Sequence, residues 1–580
     1  MRLTAMTRTC LIAAVLLALA GCGANPGAPM AAPMVRIVSP ISGAKLSTHT
    51  VTVYISVSQF TLIPGPGGPE QAGSGQVWIY ANGRVESQLG STTATLELSP
   101  GTYTLKAALV TNGRAVATSA PVVVTIGTSA ATPTASCATP PAPSSGLTAG
   151  TITLFCKGLP VSGSPGSLVT GPDGNLWFTV NPYSAGTVPS IGRITPAGMI
   201  TMFSHGLAAG AEIGGLVIGP DGDMWFEVIP AYGLSQQAIG RITPSGTITL
   251  FSRGLPAGYS GLAVGPGGVG QPTLGPDGNL WFTLNPYSKT SSPAIGRITP
   301  SGVITVFNSL ALAAGSSVGD LVTGPGGDLW FSVYSKGANA IGRITPSGAI
   351  TLFRHGVLPQ VGGLIVGPDN SLWFTVNPSG PQAGTQIPAI GRISRSGVVT
   401  LFNQGLTPGA RLLGLLVGKD GDLWFAVGKY VGTGRRAIGR ITSTGVITLF
   451  HRGLPTGDVV RWFMLGPGAI PWFTLIPLSG NGPQALGRIA PTGLITLFSH
   501  GLPAGTSVFA PLMGPSGDLW FTLSPNSGGA FARIGRITPA GVITLFSRGL
   551  PAGSVPGGLV VGPDGNLWFT DGAAIGRLIP

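Results

Sequence analysis

The sequence predicts an all-β chain whose larger part is a ring of repeated four-stranded blades. Three observations predict it. A motif recurs at a period in the forties to fifties, each copy carries several short apolar runs, and Gly or Pro sits at fixed places between the runs. The motif reads GPDGNLWFT, a variable loop, AIGRITPSG, VITLF and SRGLPAG. The tryptophans of its WF pair fall at Trp177, Trp225, Trp281, Trp330, Trp373, Trp424, Trp472, Trp520 and Trp568, spaced 43 to 56 residues apart. Such a period, filled with strand-like runs, is the signature of a β-propeller blade.

Residues 1–22 read as a secretory signal, with Arg2 and Arg8 ahead of an apolar core from Cys10 to Ala20. Its end, Leu19-Ala20-Gly21-Cys22, resembles a bacterial lipobox. That resemblance implies cleavage before Cys22 and lipid attachment to its thiol; an ordinary cleaved signal with a chance cysteine is the alternative. Residues 23–34 are a low-complexity tether. The expected product is an exported lipoprotein of the bacterial cell membrane or outer membrane, periplasmic or at the surface, held by its lipid anchor alone.

Residues 35–127 carry alternating runs such as TVTVYISV, QVWIYANG and TYTLKAALV, some seven strands in all, which predict a β-sandwich. The Ser99–Leu105 segment and the Ser39-Pro40 opening resemble bacterial immunoglobulin-like (Ig-like) envelope domains, implying a spacer or adhesion module. Residues 128–148, rich in Ser, Thr, Ala and Pro, form a linker. With Cys10 lost and Cys22 lipidated, Cys137 and Cys156 remain in an oxidising compartment. A disulfide between them, contributing roughly 3 kcal/mol, is expected; two free thiols are the alternative.

Residues 149–580 hold the array. Within each copy the innermost strand precedes the GPDG turn, followed by LWFT, AIGRIT and, outermost, VITLF. The array opens on an outermost strand, Thr151–Phe155, and closes on a third strand, Ala574–Pro580. The N-terminal strand can therefore complete the last blade, giving nine four-stranded blades closed by both termini around a wide channel. An open solenoid is the rival arrangement.

With 94 glycines and 52 prolines, about a quarter of the chain, the composition would suggest a disordered polymer if it lacked a period. Only 8% of residues are charged and the mean hydropathy is +0.41, which suits strands buried on both faces. The net charge is +13, yet nine of the 31 basic residues are the arginine of the repeated Gly-Arg pair. That arginine is expected to satisfy carbonyls or the turn aspartate between blades. No lysine-rich run or basic-aromatic platform points to nucleic acid.

The GPDGNLWFT…IGRITPSGxITLF repeat resembles that of the virginiamycin B lyases (streptogramin B lyases). The resemblance implies a seven-bladed propeller that opens a cyclic depsipeptide by Mg-assisted elimination. It also implies histidines before the inner strand and glutamates, one directly after WFT. The slot five residues before each turn instead holds Gly166, Gly214, Gly270, Gly319, Gly362, Leu413, Arg461, Phe509 and Gly557. The slot after WFT holds Val180, Val228, Leu284, Val333, Val376, Val427, Leu475, Leu523 and Asp571. Asp571, with Glu227 one place earlier in its copy, is the remaining acidic candidate for such a site, and no general base is evident.

Four histidines, His205, His355, His451 and His500, follow outer strands. They are either a basic rim for an anionic ligand or solvated loop residues, too far apart on different blades to share a metal. The loops between second and third strands vary most and carry Asn181, Tyr183, Tyr232, Asn285, Tyr287, Tyr334, Asn377 and Tyr430. Such residues on a rigid scaffold suit a glycan, peptide or protein ligand. The expectation is a monomeric, non-catalytic binding or scaffold module without cofactor. The alternative is a virginiamycin B lyase-like Mg-dependent C–O lyase with a rearranged site.

Overall fold

The computed structural model describes residues 32–126 and 149–580, apart from 41, 43, 47–49, 63–73, 90–91, 99–100, 162, 184–185, 231–236, 257–258, 264–272, 287, 289, 336–338, 355–359, 379–382, 430–435, 456–457, 478–483, 504 and 526–531. The signal, the tether, the linker, Cys22 and Cys137 therefore lie outside the described residues. The chain divides into two compact units, Met1–Pro133 and Thr134–Pro580. No helix among the described residues is long and apolar enough to cross a membrane.

The first unit is two sheets over one core. Met34–Ser39, Thr50–Ser58 and Thr93–Glu97 form the smaller sheet. The larger is built on Gly101–Thr111, flanked by Val122–Ile126 and Ser74–Ala81. Alternation puts Val35, Val53 and Ile55 of the first against Val77, Ile79, Leu109 and Val124 of the second. Ten strands are present among the described residues where the sequence predicts some seven. The extra ones include the short hairpin partners Arg84–Leu89 and Arg114–Thr118, mostly exposed runs whose alternation is too weak to read.

In the second unit nine sheets follow among the described residues, called sheets one to nine after their tryptophans, Trp177 to Trp568. Six have four strands, and in the other three, sheets one to three, the innermost strand is broken into two segments. In sheet six Ala410–Val417, Leu423–Lys429, Ala437–Ile441 and Ile447–Phe450 run antiparallel from the innermost strand outward. Sheet nine takes its outermost strand from the start of the array. Ile152–Phe155 pairs antiparallel with Ala574–Leu578, and Phe155 lies opposite Ile575. Phe155, Trp568 and Ile575 then share a core with Leu176, Phe178 and Val180 of sheet one. That shared core closes the array on itself and excludes the open solenoid.

Alternation along each second strand builds these inter-sheet cores. In sheet one, Trp177 packs toward Met224, Phe226 and Val228 of sheet two, while Phe178 packs back toward Trp568. The indole lies stacked on the outer-strand phenylalanine of its own sheet, as with Trp177 and Phe203 at 5.7 Å between centroids. Packing this dense explains the repeated glycines. A methyl group at Gly296 of the Gly-Arg pair would overlap the Phe282 ring, so a larger residue would force the strands apart.

The inner strands depart from regularity. In sheets four to eight the ladder slips at one place, between Gly362 and Ile365 for example. This is a β-bulge, and in sheets five to eight its first extra residue adopts a left-handed conformation. Gly363 and Gly414 do so freely at φ 61° and 59°, whereas Trp462 and Ala510 are forced to φ 46°. For a non-glycine residue such a conformation costs on the order of 1–3 kcal/mol. In sheet three, Ala263 is the residue paired with Thr283. Gly270, which occupies that slot by its distance from the turn, lies outside the described residues; residues 265–272, GPGGVGQP, are an insertion relative to the other copies, and they displace the slot along the sequence.

The GPDG turn is held by its aspartate. Asp173 Oδ1 accepts from Trp177 Nε1 at 3.0 Å, and Asp277 accepts from Trp281 at 2.9 Å. Sheets four, seven and eight have Gly326, Gly468 and Ser516 at this place, and the buried indole nitrogens of Trp330, Trp472 and Trp520 find no acceptor among the described residues. Replacing Ser516 with Asp recreates the Asp-x-Asp turn of sheets two and six. It is expected to stabilise the protein by about 1 kcal/mol, read as a higher midpoint in urea. Burial raises the Asp277 carboxyl, but hydrogen bonds from Trp281 and Asn279 outweigh it and hold its pKa below the usual carboxylate value. A depressed folded pKa contributes stability that is present above about pH 4 and is lost as pH falls through the lowered value. The melting-temperature gap between wild type and Asp277→Asn should thus be widest near neutrality and narrow as the pH falls through the lowered carboxyl value.

Candidate functional site

The innermost strands and the ends of the second strands carry the slots where the sequence reading looked for chemistry. The slot before the turn is the last residue ahead of the bulge. Its carbonyl, released from the ladder, is satisfied by the hydroxyl of the residue opposite. Thr375 Oγ1 donates to Gly362 O at 2.9 Å, and Thr474 Oγ1 to Arg461 O at 3.1 Å. In sheet two that hydroxyl position is Glu227, 3% exposed, and its Oε1 accepts from Gln237 Nε2 at 3.3 Å. Asp571 of sheet nine is also buried and accepts from the Val555 amide at 2.7 Å. Sheet one separates the two carboxylates, and each is bonded into its own sheet.

A metal site on the lyase pattern requires carboxylates and histidines that converge. Among the described residues no three His, Cys, Asp or Glu side chains could hold a metal ion together. The residues present do not fit a Mg²⁺ centre around Asp571 and Glu227. His205 and His500 are exposed on the loops after the outer strands of sheets one and seven. His451 follows that of sheet six, its Nδ1 2.8 Å from Arg436 O. His355 lies outside the described residues. The three described histidines follow the outer strands of three different sheets, and no metal-holding group among the described residues includes them.

The asparagines of the variable loops have work of another kind. Asn181 Nδ2 donates to Ile213 O and its Oδ1 accepts from Ile213 N, both at 2.8 Å. Asn285 does the same with Val318, and Asn377 with Leu412. Each amide thus latches one sheet to the residue just ahead of the slot on the next inner strand. In sheet four Tyr334 substitutes, its Oη donating to Val361 O at 2.8 Å. Residues at the far end of the loop act likewise, Gln484 on Val508 N and Arg436 on Asp458 O. Sequence reasoning missed this pattern, although its signal was visible: the three asparagines recur four residues after their tryptophans.

Tyr183, 71% exposed, is hydrogen-bonded through its hydroxyl to Ser164. Tyr232, Tyr287 and Tyr430 lie outside the described residues. Cys156 is disulfide-bonded, which removes it as a nucleophile; the expected partner, Cys137, is outside the description. In the first unit a hollow of about 570 Å³ is lined by Tyr80, Asn82, Thr104, Lys106 and Thr118. It holds one cation and no acid. Replacing the buried Asn377 by Leu orphans the Leu412 amide and carbonyl; the expected loss is roughly 2 kcal/mol of unfolding free energy, measured by urea titration.

Residues 265–475 match the model of the Virginiamycin B lyase family. Among solved structures the chain resembles a streptogramin B lyase at 24% identity, covering 56% of this chain and 93% of that one, with a TM-score of 0.33. Prolyl oligopeptidase B from Galerina marginata is similar at 11% identity, over 63% of this chain and 56% of that one, TM-score 0.37. PorZ, a surface component of the type-IX secretion system of Porphyromonas gingivalis, is similar at 11% identity, over 72% and 62%, TM-score 0.34. No curated protein matches the chain. With the family match spanning sheets three to seven and the repeat's turns and aromatic pairs in place, the array is a virginiamycin B lyase-like β-propeller.

Proposed function

We propose that this chain is a non-catalytic binding or scaffold module of the bacterial envelope, presenting its propeller to a glycan, peptide or protein ligand. The observation that carries the reading is the fate of the acids. Glu227 and Asp571 sit on sheets two and nine, each in a hydrogen bond of its own sheet, and no histidine occupies a slot before the bulge. A base that takes an α-proton must reach the substrate carbon, and nothing in this arrangement offers one. The lipobox-like Cys22 supports anchoring through lipid, and the disulfide at Cys156 supports an oxidising compartment.

A second reading, a Mg-dependent C–O lyase of the virginiamycin B type, is favoured by the family match over residues 265–475. The two separate in one experiment. Full-length protein incubated with a streptogramin B and Mg²⁺ is expected to leave the cyclic depsipeptide intact by mass spectrometry. Linearised product above a no-protein control, abolished in Asp571→Asn, would replace the binding reading with the lyase. In parallel, the full-length protein is expected to retain one ligand class on glycan and peptide arrays.

A further inference from the structure

The bulges on the inner strands of sheets seven and eight differ from those elsewhere. Gly363 and Gly414 take the left-handed position in sheets five and six, where a side chain would be strained. Trp462 takes it in sheet seven and still leaves 50% of its surface exposed. The strain offsets much of what burying half of the indole contributes, and the other half of its apolar surface is left facing solvent. Next to it, Arg461 is exposed and its guanidinium has no partner among the described residues. On the adjoining inner strand, Phe509 is 40% exposed at the slot equivalent to Arg461. The inner strands of these two sheets lie beside one another.

We propose that Trp462, Arg461 and Phe509 form a recognition site for a carboxylate-bearing saccharide. The inference rests on the binding reading above and names its ligand class. An exposed indole offers a flat apolar face that matches the axial C–H face of a pyranose ring. Phe509 supplies a second face one strand away. Arg461 presents a planar pair of donors that a carboxylate fits bidentately. The chain is basic overall, +13 with Arg2 and Arg8 of the signal included, and the excess that remains without them favours the anionic ligand at longer range. An extended peptide is less well served, because strand addition needs an unbroken row of edge amides and carbonyls, and the bulge interrupts that row at Trp462.

The test uses the full-length chain and trigalacturonate, with its methyl-esterified form and an acidic peptide as controls. Of the 11 tryptophans, the nine of the WF pairs are buried, Trp78 is partly buried and Trp462 is half exposed, so the iodide quenching that is lost in Trp462→Gly reports on position 462. Trigalacturonate is expected to protect the fluorescence. Trp462→Gly is expected to weaken binding at least tenfold while the melting temperature stays level or rises, since glycine relieves the strained φ. Arg461→Gln should reduce the preference for the acid over its ester by about tenfold. Unchanged affinity in Trp462→Gly, or a sharp fall in its melting temperature, overturns this site while leaving the binding reading in place. Retention of the acidic peptide alone, lost in Trp462→Gly, overturns the ligand class. No retention on any array defeats the binding reading itself.

Discussion

The architecture of the array depends on one arginine per sheet. The guanidinium of Arg297 sits against the stacked rings of Trp281 and Phe307, at 5.4 and 5.5 Å from their centroids. It faces the turn carboxylate of Asp277 at 3.5 Å and donates to Pro346 O of the next sheet at 2.8 Å. The ring contacts recur at all nine arginines from Arg193 to Arg577, and the bond to the next sheet recurs in most of them, closing with Arg577 on Pro196 O of sheet one; the carboxylate is the variable member, since sheet seven has no aspartate in its turn to meet Arg488. One side chain thus braces the turn, covers the aromatic stack and ties each sheet to its successor. Lysine could carry the charge but not the planar fork that serves a carboxylate and a carbonyl together. Much of the basic surplus of the chain is spent on this clasp.

That constraint accounts for the low sequence variety of the array. Gly-Arg, WF and the turn Gly are mutually dependent, since the Phe ring occupies the space a side chain at Gly192 would need and the indole occupies that at Gly171. Where one member is missing the cost stays local. The indoles of Trp330, Trp472 and Trp520 lack the turn aspartate and keep an unpaired nitrogen, yet their stacking on the outer Phe is unchanged. Packing, with its many contacts, holds the position after the hydrogen bond is gone.

Function has to be fitted around this frame. The variable loops looked like free recognition surface, but Asn181, Asn285, Asn377 and Tyr334 use their polar atoms to bond the next inner strand. Glu227 and Asp571 are likewise absorbed into their own sheets. Side chains left over at the inner bulges, Arg461 and Trp462 foremost, are where strain and exposure coincide. No motif marks them, because a bulge in a strand of eight residues is set by pairing with its neighbour.

The sequence by itself determined the repeat, the order of strands within it, the role of the repeated arginine and the exchange of a strand between the two ends. All four follow from periodic apolar runs and from counting motifs, which are local properties. Tertiary structure decided which polar side chains remain available. Whether Asn377 meets a ligand or the Leu412 peptide depends on the distance between two sheets, and that distance is fixed by the packing of Trp373 against Leu423 and Phe425 of the next sheet. It likewise decided that Ala263 and not Gly270 stands opposite Thr283. Register is a property of two strands, and an insertion in one of them shifts any count made along it.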